Sequence, residues 1–198
     1  RMADEMIIVD IDAYKRNSIN SQLFKKISKY CNMPLALGGG IKNLEDAEKF
    51  FRSGADKIVI NSGFQDDPDL IKKLSNKYGN QSIVFSLDVK KENNSYYCFS
   101  NSGQVLYNHL ACELAVKVVE DGAGEILLNN IDGDGMMNGY NLDLIEVIAN
   151  KVRVPIIASG GCGSKKDFLE AINSGANAAS AASIFFWIGE SVISIKKY

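Results

Sequence analysis

Residues 33–64, MPLALGGGIKNLEDAEKFFRSGADKIVINSGF, and residues 154–185, VPIIASGGCGSKKDFLEAINSGANAASAASIF, align without a gap. Pro34 falls on Pro155, Gly39 and Gly40 on Gly160 and Gly161, Asp46 on Asp167, Ser53-Gly54-Ala55 on Ser174-Gly175-Ala176, Ser62 on Ser183 and Phe64 on Phe185. Each copy reads as apolar strand, glycine turn, helix, second strand and a small hydroxyl residue. The echo continues upstream, where ADEMIIVDID at residues 3–12 answers AGEILLNNID at residues 123–132. A strand-helix unit duplicated at about half a chain, with strands too continuously apolar to face water, specifies a parallel sheet buried on both faces. The chain is therefore expected to form a (β/α)8 TIM barrel built from two similar half-barrels.

Taken in order, the pattern gives strands over Ile7 to Ile11, Leu35 to Leu37, Lys57 to Ile60, Ile83 to Leu87 and Ile126 to Ile131, then the two strands of the second glycine unit. Ile19, Leu23, Phe24 and Ile27 have the spacing of an amphipathic helix that Met33-Pro34 stops. Asn43 is placed to cap the helix through Phe51, and Asp67-Pro68 to open the next one. Helices are also expected from Ala111 to Val119 and from about Leu142. Alternation between Lys90 and Tyr107, around a Ser102-Gly103 turn, predicts a hairpin folded over the strand ends. That makes seven barrel strands. The unit from Ile83 to Asp121 would have its counterpart before Arg1, so the first β-strand and helix, about forty residues, are expected to be absent from this chain. An open barrel would expose two strand edges, which proteins avoid. Residues 1–198 are thus read as a single barrel domain, N-terminally incomplete.

Composition narrows the function classes. The 22 basic and 24 acidic residues leave a net charge of −2, which provides no field for nucleic acid or an anionic membrane. The apolar runs are strand-length, well short of a membrane span, and no secretory leader pattern is visible, so a cytoplasmic location is expected. Cys31, Cys98, Cys112 and Cys162 lack C-x-x-C spacing and a nearby histidine, so reduced thiols are expected and no metal site. His109, the sole histidine, falls where a helix should begin.

In barrels of this kind the reacting groups stand on the loops after the strands. Asp10, Asp12, Asn61, Asp88, Asn129, Asn130, Asp132, Asp134 and both glycine turns fall there. Glycine turns that run into helices let backbone N–H groups approach an anion, with phosphate the natural guest. Alternatively, the glycines merely permit tight turns. Ser62 and Ser183, each one strand after its glycine pair, add a hydroxyl ligand, so two such constellations suggest a substrate phosphorylated at both ends. The plain alternative makes both serines strand caps. Asp88 ends an apolar strand, where partial burial raises a carboxyl pKa toward the range of proton transfer; otherwise it is bonded to Lys90 or to a loop amide. Asp134, between glycines, positions substrate rather than moving protons. At the opposite strand ends Glu5, Lys57 and Glu125 form a charged ring, read from sequence as the barrel floor rather than a gate.

The segments ADEMIIVDIDA, LALGGGIKNLEDAEKFFRSGADKIVINS, FSLDVK, GAGEILLNNIDGDG and PIIASGGCG with AASIF resemble the cyclase subunit of imidazole glycerol phosphate synthase, the HisF type, over essentially the whole chain. The sister isomerase barrel of the histidine pathway fits less well. The resemblance implies a lyase-type synthase subunit that needs no cofactor. It would take ammonia from a glutaminase (HisH-type) partner docked on the N-terminal face and join it to a bisphosphorylated ribulosyl-formimino aminoimidazole carboxamide ribotide. Imidazole glycerol phosphate and the aminoimidazole carboxamide ribotide AICAR would leave. By this match Asp88 is catalytic and Asp10 lies among the substrate-binding residues; Gly39, Gly40, Asn61 and Ser62 would hold one phosphate, and Asp134, Gly135, Gly160, Gly161, Ala182 and Ser183 the other. Glu5, Lys57 and Glu125 would gate ammonia, and Asp56 would face the partner. The second catalytic aspartate, a nearby lysine and the gate arginine would belong to the absent strand. The chain departs from the family pattern at Asp12, usually Thr, at Asn129-Asn130, usually Thr-Ser, and at Gly133, usually Arg. Asp10-Ile11-Asp12 and the Asn-rich LLNNID instead resemble paralogues of surface-glycan clusters, in which the ammonia aminates a sugar. A non-catalytic barrel that only binds a glutaminase is the third reading.

Overall fold

The computed structural model describes residues 2–198. Its strands are β1 (Met6–Val9), β2 (Leu35–Gly38), β3 (Lys57–Ile60), β4 (Ile83–Glu92), β5 (Ser95–Ser100), β6 (Val105–Leu110), β7 (Glu125–Asn130), β8 (Ile156–Ser159) and β9 (Ala178–Ala179). Seven of them pair in the order β1-β2-β3-β4-β7-β8-β9, and every pairing along that path is parallel. Helices Ser21–Tyr30, Leu44–Phe51, Leu70–Tyr78, Ala111–Glu120, Leu142–Ala149 and Lys165–Asn173 fill the crossovers. The number of barrel strands is the one the repeat predicts. Among the described residues β1 and β9 end the path without pairing to each other. The strand and helix expected before Arg1 lie outside the described residues.

Side chains alternate across a strand, and this two-residue period sorts the core into two shells. Outward-facing Leu35, Leu37, Ile58, Ile60, Phe85, Leu87, Ile126 and Leu128 pack with the helices in one large buried cluster. Phe24 and Phe50 meet there at 5.0 Å between ring centroids, and with Phe85 they are almost fully buried. Each such ring contributes on the order of 2–3 kcal/mol relative to exposure. The inner shell is smaller: Ala36, Val59, Val84, Leu127 and Ile157, with Ile7 against them. Continuing the same parity downward gives Glu5, Lys57 and Glu125; continuing it upward gives Asn61, Ser86, Asp88, Asn129 and Ser159. One rule of alternation thus puts the charged ring, an apolar waist and the polar mouth on one interior axis.

The duplication also repeats its fastenings. Asn43 Oδ1 accepts from the Asp46 amide at 2.9 Å, capping its helix as expected. Asp46 accepts from the Lys42 amide at 3.2 Å, and its counterpart Asp167 from the amides of Gly163 and Ser164 at 2.8 and 2.9 Å. These repeated aspartates hold the glycine turns to the following helices. Likewise Asp56 accepts from the Leu35 amide at 2.8 Å and Asn177 from the Ile156 amide at 3.0 Å, so each ties the start of the strand before it.

Four local expectations shift. Ile19 precedes its helix, which starts at Ser21. The helix expected at Asp67-Pro68 starts at Leu70, although Asp67 still accepts from the Asp69 amide at 3.1 Å. His109 lies in β6, exposed, because the hairpin runs on to Leu110 before the helix begins. Finally, β4 does not stop at Asp88 but continues to Glu92, since antiparallel β5 takes up its pairing from Asp88 opposite Phe99. The predicted hairpin is therefore β5–β6 together with an extension of the barrel strand. Among the described residues no helix is long and apolar enough to cross a membrane.

Candidate active site

At the C-terminal ends of the strands lies a cavity of about 710 Å³. Asp10, Gly39, Gly40, Asn61 and Ser62 line it from the first half, and Asp134, Gly135, Gly160, Gly161, Ala182 and Ser183 from the second, with Asp88 between. These residues and Asn129 therefore meet in one space, although they are spread over more than 170 positions of chain, whereas Asp12, Asn130 and Asp132, also expected at the mouth, do not line it.

The glycines are required by crowding as well as by conformation. At Gly39, with φ of 114°, a Cβ would sit 2.3 Å from the Asp10 carbonyl oxygen; at Gly160, with φ of 85°, it would sit 2.4 Å from that of Asn130. In both halves the turn passes directly over the end of the preceding strand, which lets its backbone line the cavity without a side chain in the way. The tight turn is therefore required at both positions, and it leaves the backbone facing the cavity.

Asp88 is half-buried, and its Oδ1 accepts from the Ser86 hydroxyl at 3.0 Å and from Asn129 Nδ2 at 3.2 Å. Desolvation raises its carboxyl pKa above the ordinary 3.8; those two hydrogen bonds oppose the rise, and the charge of Asp134 adds to it. The ordinary alternative, a carboxylate tied to Lys90, does not apply, because the Lys90 ammonium donates to the Gly103 carbonyl at 3.1 Å and lies over the Phe99 ring. Asp88 is therefore held in place with its carboxyl pKa raised, an arrangement of the kind found in groups that transfer protons.

The two hydroxyls are not equivalent. Ser62 donates to Asn61 Oδ1 at 3.1 Å and accepts from the Asn101 amide at 3.0 Å, fastening the hairpin to the mouth. Asn61 in turn donates to the Ser86 carbonyl at 2.9 Å. Among the described residues Ser183 makes no comparable bond, and it precedes a helical turn at Ile184–Ile188. Asp10 is paired with Arg16, which offsets a negative charge beside the first glycine turn.

At the other end of the axis the Lys57 ammonium donates to Glu5 at 2.8 Å and to both oxygens of Glu125 at 2.8 and 2.9 Å. Burial alone would lower the lysine pKa; the bonds from Glu125 and Glu5 outweigh it and hold the pKa above 10.5. Glu5 Oε1 is buried without a partner among the described residues. Asp56 is exposed at this end apart from its bond to Leu35. Lys57→Met is expected to leave two facing carboxylates uncompensated and to destabilise the fold by about 2–3 kcal/mol, below a fully buried pair because these side chains are 19–25% exposed. Denaturant melts at neutral pH check this.

Sequence reasoning did not single out Ser86, Asn101 or Arg16. Ser86 had a legible signal, the S-x-D spacing that puts it on the same face as Asp88; the other two depend on loop conformation.

A parallel barrel sheet with paired glycine turns and a half-buried carboxylate opening into one cavity defines an enzyme-type (β/α) barrel. The family model described as "Histidine biosynthesis protein" matches residues 1–189. The chain is 40% identical over 198 residues to the imidazole glycerol phosphate synthase subunit HisF of Dehalococcoides mccartyi, covering 99% of this chain and 78% of that one. It is 39% identical over 201 residues to the subunit of that name in Chlorobium chlorochromatii, covering 100% and 79%. A Campylobacter jejuni protein named "Putative imidazole glycerol phosphate synthase subunit hisF2" is 43% identical over 185 residues, covering 93% and 74%. The chain belongs to the histidine biosynthesis protein family, a family of (β/α)8 barrels.

Proposed function

We propose that the chain is the cyclase subunit of a glutamine-dependent imidazole glycerol phosphate synthase. In this reading the two glycine cradles hold the two phosphates of the ribulosyl-formimino aminoimidazole carboxamide ribotide, with the reacting atoms beside Asp88. Asp88 moves a proton as ammonia adds and the imidazole ring closes, and imidazole glycerol phosphate and AICAR leave. Ammonia comes from a HisH-type glutaminase on the N-terminal face, near Asp56. It passes the ring of Glu5, Lys57 and Glu125 and then the apolar waist, whose narrowest member by side-chain size is Ala36. A biosynthetic role of this kind belongs in the cytoplasm.

One observation carries the reading: both cradles and Asp88 open into a single cavity. The relatives described above are all named as subunits of imidazole glycerol phosphate synthase, which does not favour the sugar-aminating or the non-catalytic alternative. Steady-state turnover of the bisphosphorylated substrate with an ammonium salt, without any partner, tests it directly. Absence of turnover together with stimulation of a glutaminase would favour the non-catalytic reading. Growth of a histidine auxotroph supplied with the gene separates the histidine-pathway substrate from a sugar acceptor.

The asymmetry of the serines gives a further expectation. Ser183→Ala should weaken phosphate-ester binding by about 1.5 kcal/mol, roughly tenfold, because its free hydroxyl can donate to a charged oxygen. Ser62→Ala should cost less in affinity, since that hydroxyl already donates to Asn61. Calorimetric titration of both variants checks the order, and equal losses would remove the distinction.

A further inference from the structure

The two oxygens of Asp88 have unlike surroundings. Oδ1 accepts from the Ser86 hydroxyl at 3.0 Å and from Asn129 Nδ2 at 3.2 Å. Oδ2 accepts no hydrogen bond among the described residues, yet it is not sealed from solvent as Glu5 Oε1, Tyr78 Oη and Asn101 Oδ1 are. Since Asp88 lines the cavity, Oδ2 is the open side of its carboxyl. The sheet dictates this arrangement. Ser86 and Asp88 lie two residues apart on β4, so both project to the same face, and Asn129 on β7 stands opposite Asp88 in the parallel register. Asn129 is held from its other side by pairing opposite Ser159 on β8. Its amide can turn only one way toward the carboxyl, because Nδ2 donates and Oδ1 does not.

A carboxyl oxygen offers about two lone-pair sites, and at Oδ1 both are taken. A proton placed there would have to displace a donor; at Oδ2 it displaces nothing. We infer that Asn129 is a positioning residue that, together with Ser86, keeps Asp88 Oδ1 an acceptor and so confines the exchangeable proton to Oδ2, the oxygen open to the cavity. The inference rests on the proposed proton transfer by Asp88 and adds which oxygen performs it and what selects that oxygen. When the Oδ2–H bond breaks and the proton passes to the reacting atom, the electron pair stays on the carboxylate, whose charge the same two donors stabilise. They act in the sense opposite to burial.

Asn129→Leu keeps the side chain's size and removes the donor. Carbon-13 titration of the carboxyls in aspartate-labelled protein, with the Asp88 signal assigned by its absence from Asp88→Asn, gives a readout independent of activity. The Asp88 ionisation constant is expected to be about tenfold smaller in Asn129→Leu, the ratio for one hydrogen bond to a charged group. Turnover with an ammonium salt should fall at least about tenfold while KM stays within a few fold. In the Asp88→Asn background the same leucine should cost turnover nothing further, because a residue that works through Asp88 then has nothing to work on. Ser86→Ala removes the other donor with a smaller change of shape, should lower the ionisation constant in the same direction, and carries the test if the leucine variant does not fold. An unchanged ionisation constant in the folded variant overturns the inference. So does an equal loss of turnover in both backgrounds, which would mark a residue that meets the substrate directly or merely supports the fold. If instead Asp88→Asn turns over as fast as the wild type, the proton-transfer reading itself fails and takes the inference with it.

Discussion

Replacing Asp88 by asparagine is expected to lower turnover by roughly 10²–10⁴-fold while substrate affinity changes by no more than a few fold. The substitution is nearly isosteric. An asparagine oxygen can still accept from Ser86 and from Asn129, so the local hydrogen bonds that now fix Asp88 have no reason to rearrange. What disappears is the proton. A group that binds substrate in the ground state would lose affinity and rate together, whereas a proton-transfer group loses rate alone. Steady-state kinetics with an ammonium salt separates the two, and a parallel loss in both constants would reassign Asp88 as a binding residue.

The same variant should be more stable than the wild type at neutral pH. Because desolvation raises the Asp88 pKa in the folded state, the native protein binds this proton more tightly than the unfolded chain does. The resulting contribution is fully present below the unfolded value of 3.8 and is lost as pH rises through the raised folded value. Asparagine, which never ionises, escapes that loss. The stability gain should therefore be visible at pH 7 and fade as the pH falls below 3.8, where both proteins carry a neutral side chain. Denaturant titrations at the two pH values test it. A variant both dead and more stable is what a carboxyl held for chemistry at the expense of the fold predicts.

How much of this could be read beforehand follows from the kind of signal involved. The duplication and the two-residue alternation located the barrel strands, the ring of Glu5, Lys57 and Glu125, and the glycine turns, because those features depend on spacing along one strand or one turn. Ser62 could be placed at the mouth but its engagement could not: its partner Asn101 is 39 positions away, on a hairpin whose tip conformation no periodicity encodes. The extension of β4 past Asp88 was hidden for a similar reason. Polar residues from Val89 to Glu92 look like a loop until β5 pairs with them. Two departures from the cyclase pattern are neighbours in space: a Cβ at Gly133 would lie 2.5 Å from Asn130 Nδ2, the tip of a flexible side chain. Asn129, which precedes Asn130, is the residue that donates to Asp88.

Gly161→Ala should be the most damaging single-methyl change on the second cradle. Gly161 has φ of 107°, a region that L-residues enter only at a cost, and an added Cβ would lie 2.2 Å from the Gly139 carbonyl oxygen, deep inside van der Waals contact with backbone. That backbone cannot simply step aside, because the Gly139 amide donates to the Gly161 carbonyl at 2.8 Å and the two loops are closed on each other. Strain and overpacking together are expected to cost about 2–4 kcal/mol, lowering the melting temperature by roughly 5–15 °C for a domain of this size. Binding at the second cradle should be lost with it, while the first cradle retains its ligand. Gly135→Ala provides the control. Gly135 lines the same cavity with φ of 76°, but nothing lies within 4 Å of its added Cβ, so only the conformational part remains, about 1 kcal/mol. Thermal melts of the two variants, read beside phosphate titrations, separate crowding from backbone strain. Equal effects would mean that the second turn needs glycine for its conformation alone, and that the approach of the Gly139 loop does not shape the cradle.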